Sequence, residues 1–286
     1  MNGMNIENYG YYIVFTLVYL SIAVGVKHFL GFKNRRYFNA EHEISNGNLA
    51  LAIRRGGIQF GLAIAMVGVL SGQSEESFKA DLLATIFYGL VAACFMFFSL
   101  IVTDRLVLPG VNNSEEIGKG NLAIGCVEFG TLVMTGILAY ASIHGDQGGF
   151  LEAVAYFVAG QVMLILLVMV YQKLFLARLN LVQKIQEGNV AAGIYLGGKV
   201  IAYGLILQSA ISGGEIPESF GSAVMEFAVT ALSGMILLYL FEYIMDLVIV
   251  TTSTVKDILE RDQVVQSIQL ALSRIGVALI LGVAIL

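Results

Sequence analysis

Charged residues, cysteine and proline are all scarce in this chain of 286 residues. Charged residues make up 13% of it, against about 25% in a typical soluble domain, whereas 57% of the residues are hydrophobic. With only two prolines the chain is neither collagen-like nor proline-rich. The two cysteines, Cys94 and Cys126, lie too far apart for a C-x-x-C metal or redox pair and are too few for a disulfide scaffold. A formal net charge of −5 without a basic tract argues against nucleic acid as a partner.

Long apolar stretches hold most of these hydrophobic residues. A membrane-spanning helix needs about 20 mostly apolar residues to cross the hydrocarbon core. Eight stretches are long enough, at approximately 10–30, 49–71, 80–103, 121–143, 151–172, 190–212, 221–249 and 264–286. Because backbone amides in hydrocarbon must be hydrogen-bonded within the structure, we predict an all-α, polytopic transmembrane bundle of eight spans.

The basic residues outside the spans lie almost entirely on one side of the predicted membrane. Of the 16 lysines and arginines, eleven lie in the loops after the first, third, fifth and seventh spans or at the adjoining helix ends, and the opposite loops hold only Lys79. The eleven are Lys27, Lys33, Arg35, Arg36, Arg105, Lys119, Lys173, Arg178, Lys184, Lys256 and Arg261. Since cytosolic loops are enriched in lysine and arginine, this predicts a multi-pass protein with both termini outside the cytosol.

A repeated Gly-Asn pair precedes the even-numbered spans. The pairs are Gly47-Asn48, Gly120-Asn121 and Gly188-Asn189, spaced by 73 and 68 residues, and Asp262-Gln263 is a degenerate fourth copy. They divide a single transmembrane domain into four two-helix units, at about 10–71, 80–143, 151–212 and 221–286. Two spans per unit give every unit the same orientation, so the repeats are parallel. Because an asparagine side chain can accept the free amides of a first turn, we predict that the three asparagines are helix N-caps.

The residues around these pairs resemble a bacterial inner-membrane family called domain of unknown function 350. Residues 115–123, EEIGKGNLA, fit closely the E-x-I-x-K-G-N-x-A stretch that is frequent in that family, and residues 185–198, IQEGNVAAGIYLGG, fit it nearly. The resemblance covers almost the whole chain, but the last unit departs from it, with Asp262-Gln263 for Gly-Asn and Leu272 for a later glycine. It implies an inner-membrane protein, from a family sometimes associated with membrane-stress and membrane-remodelling proteins. It supplies no established activity, catalytic residue or cofactor.

Ionisable residues inside the spans are the candidate functional residues. An ionised side chain at the bilayer centre costs about 2.5–3.5 kcal/mol even on lenient insertion scales, so these side chains are expected to face each other. We therefore predict one intramembrane charge cluster of Arg54, Arg55, Glu128, Lys199, Arg274, Glu242 and Asp246. Two interpretations remain open, a functional polar pathway and structural pairing that fixes helix register. Arg54 and Arg55 are also shallow enough to extend toward the headgroups.

Glycine is abundant, with 32 residues, several of them at matching positions of the repeat. Small residues allow transmembrane helices to approach closely. We predict helix packing at Gly57, Gly61, Gly130, Gly193, Gly197 and Gly198.

The sequence favours two functions. The first is a pathway for an ion, proton or small charged solute through the charge cluster. The alternative is a non-transporting scaffold that binds cytosolic membrane-remodelling or envelope-stress proteins through basic loop residues such as Arg35, Arg36, Lys119 and Lys184. No nucleophile–base pair, metal-ligand set or cofactor motif is recognisable, so we expect no enzyme, metal or cofactor. The expected partner is the lipid bilayer, and a homo-oligomer is left open.

Overall fold

The computed structural model describes residues 6–72, 77–144, 149–174, 179–213, 220–249 and 253–285. Across these residues the chain forms helices joined by turns. Eight helices are long and apolar enough to span a membrane, which confirms the all-α polytopic fold predicted from the sequence. Of the eleven basic loop residues, Arg178 and the side chain of Lys173 lie outside the described part of the chain.

The long helices match the predicted spans closely. They are α1 Ile6–Asn34, α3 Leu49–Leu70, α4 Phe78–Val102, α6 Leu122–Ile143, α7 Phe150–Leu174, α9 Val190–Ser212, α10 Phe220–Ile249 and α12 Val264–Ile285. The largest differences are that α1 begins and ends four residues beyond 10–30, and that a π-helical turn, Thr103–Val107, follows α4.

Four short helices that the sequence analysis did not predict lie in the loops after the odd-numbered spans. They are α2 Ala40–Ser45, α5 Asn113–Gly118, α8 Leu181–Gln186 and α11 Val255–Glu260. Because they follow alternate spans, all four lie on the same side of the bundle, which we call the short-helix side. Gly47, Gly120 and Gly188 follow the first three with φ of +84°, +85° and +90°. A left-handed residue is a common way to end a helix, and glycine adopts that conformation without steric cost.

Each asparagine of the Gly-Asn pairs caps the long helix that follows it. The side-chain oxygen of Asn48 accepts the amide of Leu51 at 3.0 Å, and Asn121 and Asn189 do the same for Ile124 and Ala192. The caps satisfy one of the free amides at the start of each helix.

The same asparagines also connect neighbouring units. The Asn48 amide group donates to the carbonyl of Ile117 in α5 at 2.9 Å. Asn121 donates to Ile185 in α8 at 3.1 Å, and Asn189 donates to Leu259 in α11 at 2.8 Å. The acceptors lie near the C-terminal ends of the short helices, where carbonyls lack helical partners. One side chain therefore starts a helix and holds the short helix of the next unit.

Asn121→Ala removes both the N-cap of α6 and the hydrogen bonds to the carbonyls of α8. It is expected to lower the free energy of unfolding by about 2 kcal/mol, because a lost cap costs about 1 kcal/mol and the carbonyls of α8 lose their donor. Reversible unfolding in mixed detergent micelles measures the change. Asn46→Ala is the matched control, because Asn46 is exposed and its amide group contacts only its own helix. An equal loss in both variants would contradict the double role of Asn121.

Helices α3, α6, α9 and α12 form a row in sequence order, each packed on the next, and the other long helices flank the row. The even-numbered spans therefore form the centre of the bundle. Helices α6 and α9 are the most buried, because each has a row neighbour on both sides.

Glycines occupy the contacts within the row. A Cβ atom added at Gly57 would lie 2.9 Å from Cα of Phe129 in α6. A Cβ at Gly197 would lie 2.5 Å from the carbonyl oxygen of Cys126, and one at Gly198 would lie 2.5 Å from Cβ of Ala271. The other three predicted packing glycines also lie against a neighbouring row helix, Gly61 at Leu132, Gly130 at Gly197 and Gly193 at Ala123. Larger side chains at these six positions would force the helices apart.

Candidate functional site

The intramembrane ionisable residues form two separate groups rather than the single cluster predicted from the sequence. The first, the Arg54 site, consists of Arg54, Glu128, Asp104 and Asn113. The second, the Lys199 site, consists of Lys199, Arg274, Glu242 and Asp246. No ion pair among the described residues joins them, and the single-cluster prediction is therefore corrected.

Arg55 belongs to neither group. Its Nη2 lies 3.0 Å from Oε1 of Glu41 in α2, and Lys27 lies 3.2 Å from the same oxygen. Successive residues point about 100° apart around a helix, so Arg54 faces α6 while Arg55 turns toward α2. The hydrogen bond from Arg55, supported by Lys27, lowers the pKa of Glu41 below its ordinary value.

An ion pair between two row helices forms the centre of the Arg54 site. Nε of Arg54 lies 2.7 Å from Oε2 of Glu128, and the two side chains are 4% and 0% exposed. Asp104 from the π-helical turn lies close to Arg54, and the buried amide of Asn113 at the start of α5 lies beside both carboxylates. The site thus places two carboxylates against one guanidinium.

Several polar atoms of the Arg54 site have no hydrogen-bond partner in the described part of the chain. They are Oε1 of Glu128, Nη1 of Arg54, Oδ1 of Asp104 and both amide atoms of Asn113. Buried polar atoms are normally satisfied by protein or by ordered water. Arg54 also lines a cavity of about 30 Å³ between α1 and α3, which is room for about two water molecules. The site can therefore be completed by water, by a proton or by a small cation.

Buried hydroxyl groups continue from the Arg54 site along one face of α6. Glu128, Thr131, Thr135 and Ser142 follow at spacings of three, four and seven residues, which keeps them on one face. All four are at most 8% exposed. Thr135 also donates to the hydroxyl of Ser99 in α4. We call these five residues the α6 polar stripe. From Glu128 to Ser142 it covers 14 residues, about 21 Å of helix.

The Lys199 site is more completely paired. The ammonium group of Lys199 donates to Oε2 of Glu242. Arg274 places Nη2 3.3 Å from Oδ2 of Asp246 and Nε 3.9 Å from Oε1 of Glu242. Two cations therefore meet two carboxylates. Glu242 and Asp246 can both reach these cations because they are four residues apart, on one face of α10.

Tyrosines enclose the two cations of the Lys199 site. Nζ of Lys199 lies 4.2 Å from the ring centroid of Tyr171 and 4.6 Å from that of Tyr239, and Cζ of Arg274 lies 4.3 Å from the ring of Tyr195. The hydroxyl groups pair as Tyr171 with Tyr195 and Tyr203 with Tyr239. Aromatic faces attract cations most strongly where water is excluded, so the rings help to compensate for burial.

Sequence analysis missed this enclosure, although part of its signal is present. Tyr195 and Tyr203 lie four residues before and after Lys199, which places the three side chains on one face of α9. Tyr171 and Tyr239 come from α7 and α10, and only the packing of those helices on α9 brings them to the site.

The two sites occupy equivalent places in the two halves of the chain. Each lies where a flanking helix, α4 or α10, packs on two helices of the row. The two halves are offset by 141 residues at Asn48 and Asn189, and Asp104 and Asp246 are separated by nearly the same distance, 142 residues. An acid at the end of the flanking helix is therefore common to both halves. The cations differ, since the position of Arg54 is occupied by Tyr195 in the second half.

Eight apolar helices enclosing ionisable groups define a multi-pass integral membrane protein with two related halves. The chain belongs to the family described as Domain of Unknown Function (DUF350), whose model matches residues 4–143 and again residues 147–285. This confirms the resemblance and the internal repeat, with two halves shown by the comparison. The further division of each half into two units stays a prediction.

A UPF0719 transmembrane protein of Aquifex aeolicus (strain VF5) is 26% identical over 196 residues, which cover 67% of this chain and 68% of that protein. No solved structure gives a significant match.

Proposed function

We propose that the protein provides a pathway for protons, running from Asp104 through Glu128 and along the α6 polar stripe. The single observation that carries this proposal is the series of buried polar side chains on one face of α6, with Glu128, Thr131 and Thr135 about one helical turn apart and Ser142 two turns further on. Ionisable residues inside a membrane are functional candidates because they are costly to keep there. Asp104 is partly exposed near the short-helix side, which makes it the natural entrance.

Close packing around the stripe favours a proton over a hydrated ion. Leu132, Met134 and Leu138 of α6 are fully buried, which leaves no wide pore beside this helix. A proton needs only groups that can both donate and accept, such as hydroxyls and single waters. The unpartnered atoms around Glu128 and the small cavity at Arg54 supply places for such waters.

The Lys199 site supports a structural role. Its two cations and two carboxylates balance each other, and the tyrosine rings enclose them. We assign the proton pathway to the first half of the chain and the anchoring of α9, α10 and α12 to the Lys199 site.

The proposed setting is a bacterial inner membrane with the short-helix side in the cytosol. The distribution of lysine and arginine supports this orientation. The alternative, a scaffold, is favoured by the exposure of Arg35, Arg36 and Lys119 on that side. Neutralising these residues would then abolish the binding of a cytosolic partner without changing proton flux.

Proteoliposomes with an internal pH dye and an imposed potassium diffusion potential test the proton pathway. We expect potential-driven proton entry with the wild-type protein and a loss of about 100-fold in Glu128→Gln, since a positioned proton carrier commonly contributes 10²–10⁴-fold in rate. Thr135→Val keeps the side-chain shape while removing a hydroxyl of the stripe, and should also slow the flux.

Glu187→Gln is the matched control, because Glu187 is an exposed acid that directly follows α8 and lies outside both sites. Gel filtration in detergent separates loss of flux from loss of folding. The proposal fails if folded Glu128→Gln conducts protons as the wild type does, or if wild-type liposomes acidify no faster than empty ones.

A further inference from the structure

A basic cleft opens between α1, α2 and α3 on the short-helix side. Its volume is about 690 Å³, and its lining includes Lys27, His28, Arg35 and Arg55. The only acid in its lining is Glu41, which is shared by Lys27 and Arg55. With histidine neutral, the lining therefore carries three positive charges against one negative charge.

The depth of this cleft corresponds to the headgroup layer of a membrane. Lys27 lies seven residues before the end of α1 and Arg55 lies six residues after the start of α3, so each is about 10 Å inside its helix end. The Lys27 side chain is 41% exposed and the Arg55 side chain is 21% exposed, which leaves both accessible from the cleft.

The exposed apolar surface of α1 continues from the cleft toward the membrane interior. Val24 and Leu20 lie four and eight residues before His28 on the same face of α1, and they are 50% and 48% exposed. Gly31, which lines the cleft, has no neighbouring atom within 4 Å of an added Cβ, so this face of α1 is not covered by the described part of the chain. A charged cleft above an exposed apolar surface matches the two parts of a phospholipid.

The second half of the chain provides an internal comparison. Asn39 and Asn180 begin equivalent short helices, and the offset of 141 residues relates the two halves here. At this offset the four basic lining residues are replaced by Val168, Met169, Leu176 and Leu196. In that half α7 packs on α6 as well as α9, whereas α1 lies beside the first helix of the row. The basic lining residues therefore occur in the half where α1 lies beside α3, at the open end of the row. The equivalent positions of the second half lie on the same side of the membrane but are apolar, so a general enrichment of positive charge on that side does not explain the difference.

We propose that this cleft binds the phosphate group of an anionic phospholipid, with an acyl chain against the exposed apolar face of α1. Arginine and lysine side chains between transmembrane helices recognise phosphate through charge-assisted hydrogen bonds. A soluble phosphate ester shares the same headgroup chemistry, but only a lipid also covers the apolar face of α1. The proposal does not depend on the proton pathway.

Binding of fluorescent phosphatidylglycerol to the delipidated, detergent-solubilised protein tests the site by anisotropy. We expect phosphatidylglycerol to bind more tightly than phosphatidylcholine. Lys27→Gln combined with Arg35→Gln should weaken phosphatidylglycerol binding about 25-fold, since each basic side chain near a membrane surface contributes about five-fold.

Lys33→Gln combined with Arg36→Gln is the matched control, because both residues lie at the same end of α1, carry the same charge and do not line the cleft. This control should bind as the wild type does. Equal loss in the two double variants, or equal affinity for the two lipids, would overturn the proposal. Displacement of the lipid by millimolar inorganic phosphate would also overturn it, because the ligand would then be a soluble anion. Both double variants are exposed surface changes, and a thermal melt verifies that each is folded.

Discussion

Gly130→Leu is expected to prevent α6 and α9 from packing and to destabilise the protein by more than about 3 kcal/mol. A Cβ atom at Gly130 would lie 2.5 Å from Cα of Gly197 in α9. The neighbour is backbone on a helix that is itself held between two others, so it cannot move aside as a flexible side chain would. Thermal unfolding followed by circular dichroism in detergent should show a large fall in Tm or no folded protein.

Gly56→Leu is the matched control for this prediction. Gly56 also lies within a long helix of the row, but an added Cβ meets nothing within 4 Å. The substitution should be neutral or slightly stabilising, because leucine has the higher helix propensity. A similar loss of stability in both variants would show that the glycines act through helix propensity rather than through close helix contact.

Glu242→Leu is expected to have the second large effect, because it leaves Lys199 and Arg274 buried with only Asp246 to balance them. Removing one partner of a buried ion pair typically costs 3–5 kcal/mol, much of it from the charge left behind. Unfolding in mixed micelles should therefore show a loss of about that size.

The combination of Lys199→Met with Glu242→Leu should recover most of this loss, since it leaves Arg274 paired with Asp246. Replacing both members of a buried pair by apolar residues is often close to neutral. A double-mutant cycle measures the coupling directly. If the losses of stability in Lys199→Met and Glu242→Leu simply add in the double variant, the two side chains do not stabilise the protein as a pair.

The eight spans could be predicted because their signal is local. A run of about 20 apolar residues is recognisable without knowing what surrounds it. The short helices were missed because a helix of only six residues carries no such pattern. Their N-caps Asn39, Asn112 and Thr254 and the left-handed glycines that follow the first three short helices are recognisable afterwards.

The grouping of the charges could not be predicted from their depth. Arg54 and Arg55 are adjacent in sequence, and their separation depends on the rotation of α3 against α6, which is a property of packing. Depth along the helix suggested one cluster, but Glu128 and Lys199 face different flanking helices. The polar stripe on α6 was readable from its spacing, since Thr131 and Thr135 follow Glu128 at helical intervals.

The asparagine bonds between units run in one direction, from each long helix to the short helix that follows it along the chain. The fourth copy departs from this series, because Gln263 stands in place of the asparagine and has a side chain one methylene longer. Its Leu272, 64% exposed, stands where Gly57, Gly130 and Gly198 each receive the next helix. The last copy thus acts as a terminal cap, as in soluble repeat arrays. Additional copies inserted before it would lengthen the row, whereas a copy appended after it would meet Leu272 where the other copies offer a glycine.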